Sequence, residues 1–208
     1  MNWVVLIRGI NVGGRVLPMK RLVELMEKAG CSNVRTYIQS GNAVCTSKLA
    51  NAAILGNKIA KAILASEGYE PKVMVLSLAD LTAAAKANPY PTTVPKALHL
   101  FFLTAPPADK SLAALLPHKV ATEQYTLVGN TFYFFSPGGF GPSKLAAKFE
   151  KLAKVDATAR NWNTVEALLA LAASDTVAPD APAAPRKRAV VVRKPTAPRA
   201  ATGKRRGR

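Results

Sequence analysis

Four stretches of the 208-residue chain gather amide, hydroxyl and guanidinium groups among glycines, at spacings suited to an anion. The first is RGINVGGR at residues 8–15, with Arg8, Asn11, Gly13 and Gly14 leaving an apolar run. Glycines let backbone N–H groups approach a ligand closely, and arginine forks match phosphate or carboxylate oxygens. The stretch lacks both the GxGxxG spacing of dinucleotide sites and the Gly-Lys-Ser/Thr of a Walker loop. A strand-to-helix turn with solvated arginines explains it equally well. The second stretch is Gln39, Ser40, Gly41 and Asn42, where a hairpin tip accounts for Gly41 and Asn42 but leaves Gln39 and Ser40 over.

The third stretch is SPGGFGPSK at residues 136–144. It runs from a strand into a helix, so free N–H groups and the helix dipole favour an anion beside Gly141, Ser143 and Lys144. The competing reading makes Ser143 a helix cap and the glycines loop-formers. The fourth is RNWNTVE at residues 160–166. Asn163 with Glu166 fits a capping box, which leaves Arg160 and Asn161 as binding candidates and Trp162 as a core anchor.

Other chemistries find little support. His99 and His118 stand far from any cysteine or carboxylate cluster, so no metal and no cofactor is expected. His99 alternates with apolar strand residues and reads as a core residue rather than a base. Cys31 and Cys45 lack CxxC spacing, cannot build a disulfide framework, and Cys45 reads as buried and inert. The carboxylates are scattered over helix faces. No residue can be assigned as nucleophile or base, so an enzymatic role stays open; phosphate-ester or nucleotide chemistry would be the natural one.

The elements that position these stretches repeat. Residues 3–8 are continuously apolar up to Arg8, as in a central strand buried on both faces. Pro18, Met19, Leu22, Val23, Met26 and Ala29 trace one helical face, which Gly30 ends. Strands at 34–38 and 43–46 flank a turn, a helix covers 49–64, and 72–76 is a fourth strand. This βαββαβ order is that of a ferredoxin-like unit. A capping box at Ser77 and Asp80 starts a connecting helix that Asn88-Pro89 ends. The pattern then recurs: a strand at 98–103, a short helix at 109–116, a hairpin over 123–128 and 132–135, and a helix at 143–152. The stretches YIQSGN (37–42) and YTLVGN (125–130) suggest a duplicated unit. The second copy is expected to lack or alter its last strand and to end in a helix at 164–173. The expected fold is α+β: subdomain one at 1–77, a connection at 78–96, subdomain two at 97–174, and a tail at 175–208.

Charge is divided unevenly between body and tail. The chain has 29 Lys and Arg against 12 Asp and Glu, a net +17, with 49% apolar and 7% aromatic residues. About half of the excess lies in residues 177–208, on Arg186, Lys187, Arg188, Arg193, Lys194, Arg199, Lys204, Arg205, Arg206 and Arg208 against the single acid Asp180. Rich in Ala and Pro and without aromatics, this segment buries too little apolar surface to offset its ordering entropy and is expected to be disordered. It suits non-specific association with nucleic acid, without stacking on single strands. No apolar run is long enough for a membrane span, and residues 3–7 are too short for a signal-peptide core. A membrane role is excluded on these grounds, and a reducing cytoplasm is the expected location.

Together and in this order, the four stretches resemble the bacterial domain-of-unknown-function family 1697. The marks are LIRGINVGG (6–14), VRTYIQSGN (34–42), the 136–144 loop and TARNWNT (158–164), spanning about 2–173. The resemblance implies an α/β body of paired ferredoxin-like units and brings no reaction, cofactor or catalytic residue. Three functions follow as expectations. One is an anionic ligand, such as a nucleotide, held where Arg8, Asn11, Gln39, Ser40, Lys144, Arg160 and Asn161 converge. The second is nucleic-acid association through the tail, and the third is a protein-interaction module with no small-molecule ligand.

Overall fold

The structure, a computed structural model, describes residues 1–110 and 112–174. The basic tail therefore lies outside the described residues. The first half runs β1 (Asn2–Arg8), α1 (Met19–Lys28), β2 (Cys31–Tyr37), β3 (Asn42–Ser47), α2 (Ala52–Glu67) and β4 (Lys72–Ser77). Helix α3 (Leu78–Lys86) and a 3₁₀ turn (Pro95–Ala97) lead to the second half. That half comprises β5 (Leu98–Leu103), a 3₁₀ segment (Ala113–His118), β6 (Gln124–Val128), β7 (Thr131–Phe135), α4 (Lys144–Ala153) and β8 (Ala157–Asn161), followed by α5 (Trp162–Ala173).

Each half builds a four-stranded antiparallel sheet, in the orders β2-β3-β1-β4 and β6-β7-β5-β8. The central strands β1 and β5 are continuously apolar because both of their faces are buried. On β1, Trp3, Val5 and Ile7 pack under α1 and α2, while Val4 and Leu6 face the second sheet. On β5, Phe101 and Leu103 pack toward α4, while Leu100 and Phe102 face the first sheet. The shared middle core adds Tyr133, Leu81 of α3, and Trp162, Val165 and Leu168 of α5. Trp162 is thus the core anchor that the sequence suggests. The Tyr133 hydroxyl donates to the Ala84 carbonyl at 2.6 Å, fastening α3 to β7.

The structure corrects several local readings. The second half has its last strand: β8 pairs antiparallel with β5 along its length. Its sequence, ATARN, carries no large apolar residue to mark it. Phe101 and Phe149 already fill that side of the sheet, with rings 4.7 Å apart, so Ala157 and Ala159 suffice beneath α4. The helix expected at 109–116 is instead the 3₁₀ segment, with Pro117 inside it denying an N–H to an α-helical ladder. Helix α5 starts at Trp162, capped by Asn161 rather than Asn163. The capping box of Ser77 and Asp80 is present, with the Ser77 hydroxyl accepting from the Asp80 N–H at 3.0 Å.

The two hairpins differ at their tips. The strands β6 and β7 join through the two-residue turn Gly129-Asn130, whereas β2 and β3 join through residues 38–41, with Tyr37 opposite Asn42. That longer tip folds back on β1, where the Ile7 N–H donates to the Gly41 carbonyl at 2.7 Å. Gly41 has φ +74, and a Cβ there would stand 2.7 Å from the Ile7 carbonyl oxygen and 2.9 Å from Ile7 Cβ. Gly41→Ala should therefore destabilise the fold by about 2–4 kcal/mol through strain and overlap together. Urea denaturation of the two proteins measures it; a loss below about 0.5 kcal/mol would show that the tip is not seated on β1.

Candidate functional site

Arg8 ends β1 and spans the two halves. Its Nη1 and Nη2 donate to Glu150 Oε1 and Oε2 at 2.6 and 2.9 Å, and Nη1 also donates to the Ala157 carbonyl at 2.6 Å. Glu150 Oε1 in turn accepts from the Ala157 N–H at 2.8 Å. A fork meeting both oxygens of one carboxylate is the strong form of this pair. Burial pushes the Glu150 carboxyl up, but the bonds from Arg8 and Ala157, with the charges of Arg8 and Lys72, hold it below the usual range. With both side chains about a third exposed, water screens the attraction and the pair works chiefly by fixing geometry. Lys72 and Asp156 add an exposed contact between the same halves at 2.5 Å.

Asn11 ties the glycine loop to the hairpin tip. It has φ +55, its Nδ2 donates to the carbonyls of Leu17 (3.0 Å) and Gln39 (2.9 Å), and its Oδ1 accepts from the Leu17 N–H at 2.8 Å. Asn42, fully buried, donates from Nδ2 to Ser40 Oγ at 2.7 Å. Its Oδ1 accepts from Arg160 Nε. Arg160 then spends the rest of its fork on carbonyls: Ala159 at 2.8 Å, Ile7 at 3.0 Å and Ser40 at 3.5 Å. Burial first, then the neighbouring charge of Arg8, brings its guanidinium down to about 10, still charged at neutral pH.

The first, second and fourth stretches thus meet at one end of the inter-sheet seam. Among the described residues, the third makes no hydrogen bond to them. Ser143 caps α4, its Oγ accepting from the Ala146 N–H at 3.0 Å, and Ser136 Oγ donates to the Gly139 carbonyl at 3.0 Å. Phe140 stacks on His99, their rings 4.0 Å apart. Burial pushes the His99 imidazole down to about 4, so it is neutral near pH 7. Arg8 reaches α4 six residues beyond Lys144, a rise of about 9 Å, and meets β8 at Ala157, the end away from His99 and Asn161. Asn161 itself is the cap of α5, with Oδ1 accepting from the Thr164 N–H and hydroxyl, both at 3.0 Å.

Most of the candidate side chains are therefore committed within the fold. What faces outward is Gly13, Gly14, Gln39, Gly141, Lys144 and, beyond the sequence candidates, Arg15, whose guanidinium lies 5.0 Å from the Tyr69 ring centre. On the same loop Val12 and Val16 are 60% and 72% exposed, and on the hairpin tip that Asn11 ties to it Ile38 is 55% exposed. Ile38 has φ +47, a conformation costly for a β-branched side chain. Residue spacing does not reveal Glu150 either, since it lies 142 positions from Arg8. Two concavities lie elsewhere. One of about 210 Å³, by Arg35 and Trp3, and another of about 630 Å³, by Leu78 and Lys86, lie at the start of β1, roughly 20 Å from Arg8.

A sequence profile of the family described as "Protein of unknown function (DUF1697)" matches residues 1–133. The chain belongs to this family. The DUF1697 match contains the first two stretches and stops before the third and fourth. Among solved structures, the conserved bacterial protein SP0830 from Streptococcus pneumoniae is similar, at 22% identity and a TM-score of 0.60. The alignment covers 82% of this chain and 98% of that one, and shows a shared fold. No curated protein matches. Among the described residues, no helix is long and apolar enough to cross a membrane.

With Arg160 removed, Asn42 Oδ1 and the Ile7 carbonyl would lose the donor joining them to the second half. Arg160→Met should cost about 2–3 kcal/mol, and Arg160→Lys should recover less than half, because one ammonium cannot reproduce the fork. Denaturant midpoints check this; a near-neutral Arg160→Met would show that the clasp adds nothing to stability.

Proposed function

We propose that the body is a protein-binding module whose docking face is the paired loops 9–16 and 38–41, and that its partner offers an acidic, aliphatic-containing segment. The observation that carries this reading is three exposed aliphatic residues, Val12, Val16 and Ile38, with exposed Arg15, on two loops that Asn11 fastens together. Small molecules favour concave sites, and neither of these two concavities is lined by these loops. Exposed aliphatic residues and an arginine on joined loops suit a protein surface. Strain at Ile38 supports the same reading, since Asn or Gly would hold that backbone at lower cost. An anionic small molecule remains the competing occupant through Gly13, Gly14 and Arg15.

Peptide display on the full-length chain tests this. Selected peptides should carry Asp or Glu beside aliphatic residues, and their affinity should fall at least about tenfold, near 1.4 kcal/mol, with Arg15→Glu and with Ile38→Asn. Ile38→Asn should meanwhile raise thermal stability, by about 1 kcal/mol from relieved strain. Peptide binding that survives both variants, or that inorganic phosphate displaces, would overturn the docking face.

The two halves are read as ferredoxin-like units bounded at 1–77 and 97–174, supported by the matching sheet orders. The tail is read as an accessory that holds nucleic acid without sequence preference, supported by its ten cations. Replacing those ten with Gln in the full chain should flatten the dependence of duplex-DNA affinity on salt. Each phosphate that the tail no longer neutralises reduces the log–log slope by about 0.9. An unchanged slope would exclude the tail from binding.

A further inference from the structure

We propose that Cys31 and Cys45 form a dithiol that closes to an intramolecular disulfide when a low-molecular-weight disulfide is supplied. This proposal stands independently of the docking face. The thiols lie on adjacent strands β2 and β3, both buried in the core beneath α1 and α2, with Sγ atoms 3.4 Å apart. The Cys45 S–H donates to Cys31 Sγ, leaving Cys31 the better placed to carry a thiolate. That bond holds Cys31 below its ordinary range, while the same bond and burial push Cys45 up.

Access comes from the hairpin's own geometry. Strand β2 is an edge strand, and its ladder to β3 shifts register between Ser32 and Arg35. Only Cys31 opposite Ser47 and Ser32 opposite Thr46 pair before that shift, so opening the start of β2 breaks those pairs and the side-chain bonds of Thr46 and Ser47 to Ser32 and Gly30 while the rest of the ladder stays. In the first step the Cys31 thiolate attacks a sulfur of the added disulfide, forming a mixed disulfide and expelling one thiolate. Cys45 gives up its proton to solvent and attacks Cys31 Sγ, expelling the second thiolate. Two protein thiols are oxidised to one S–S bond, and one external disulfide is reduced to two thiols. The bond would close the hairpin below the tip that carries Ile38.

The test uses the full-length chain and glutathione disulfide. Intact mass should fall by two hydrogen atoms, a peptide map of the unsubstituted protein should join Cys31 to Cys45, and reductant should reverse both. Closing this loop should raise the melting temperature by roughly 5–10 °C. Cys45→Ala should trap glutathione on Cys31, whereas Cys31→Ala should accumulate far less adduct. A persistent glutathione adduct on the unsubstituted protein would overturn the proposal. So would thiols that stay free in native buffer yet oxidise in denaturant; the peptide map needs no variant to decide this.

Discussion

Arg160 is a partly buried guanidinium that no carboxylate among the described residues meets. Its partners are an amide oxygen and backbone carbonyls, drawn from β1, the hairpin tip and its own strand. Neutral acceptors recover the lost hydration only if several converge at once. That requirement fixes the tip against β1 and both against β8. The close seat of Gly41 on Ile7 and the buried amide of Asn42 follow from it. Arg8, near enough to lower the Arg160 pKa, is neutralised in turn by Glu150. One cation whose partners among the described residues are all neutral thereby orders four segments of two sheets.

This changes what the glycine-rich motifs are for. In sequence, arginine and asparagine beside glycines look like a ligand cradle. In the fold, Arg8, Asn11, Asn42 and Arg160 bind the chain to itself, and Asn161 and Ser143 cap helices. Groups committed in this way cannot also envelop a ligand without giving up their partners. They can, however, hold the loops above them rigid, and rigid loops bind at a lower entropic cost. The binding reading therefore moves from the polar residues to Arg15 and the aliphatic residues they support.

Local chemistry was legible in the sequence, and distant chemistry was not. The apolar run of β1 announced a strand buried on two faces, and the Ser77–Asp80 box announced α3. Strand β8 was silent because its neighbours' aromatic rings leave room only for alanines. The 3₁₀ segment shares helical spacing, and Pro117, which lacks an N–H, is what sets it apart. Asn161 and Asn163 are equally good caps by type, and only the pairing of Asn161 with His99 in β8 decides between them. For Arg8, nothing within a hundred residues hints at Glu150.

The contrast between the hairpins shows where the two halves diverge in purpose. Gly129-Asn130 closes the second hairpin in two residues, so this strand arrangement does not require a longer tip. The first hairpin carries two extra residues and bears costs with them: a left-handed isoleucine, a glycine that admits no side chain, and an asparagine amide buried under the tip. Reaching Arg160 explains Gly41 and Asn42. It does not explain Ile38, which points its aliphatic surface outward from a conformation that a smaller residue would hold more comfortably. An exposed, strained and apolar residue on a tip whose backbone Asn11, Arg160 and β1 hold in place is best understood as serving something outside the chain.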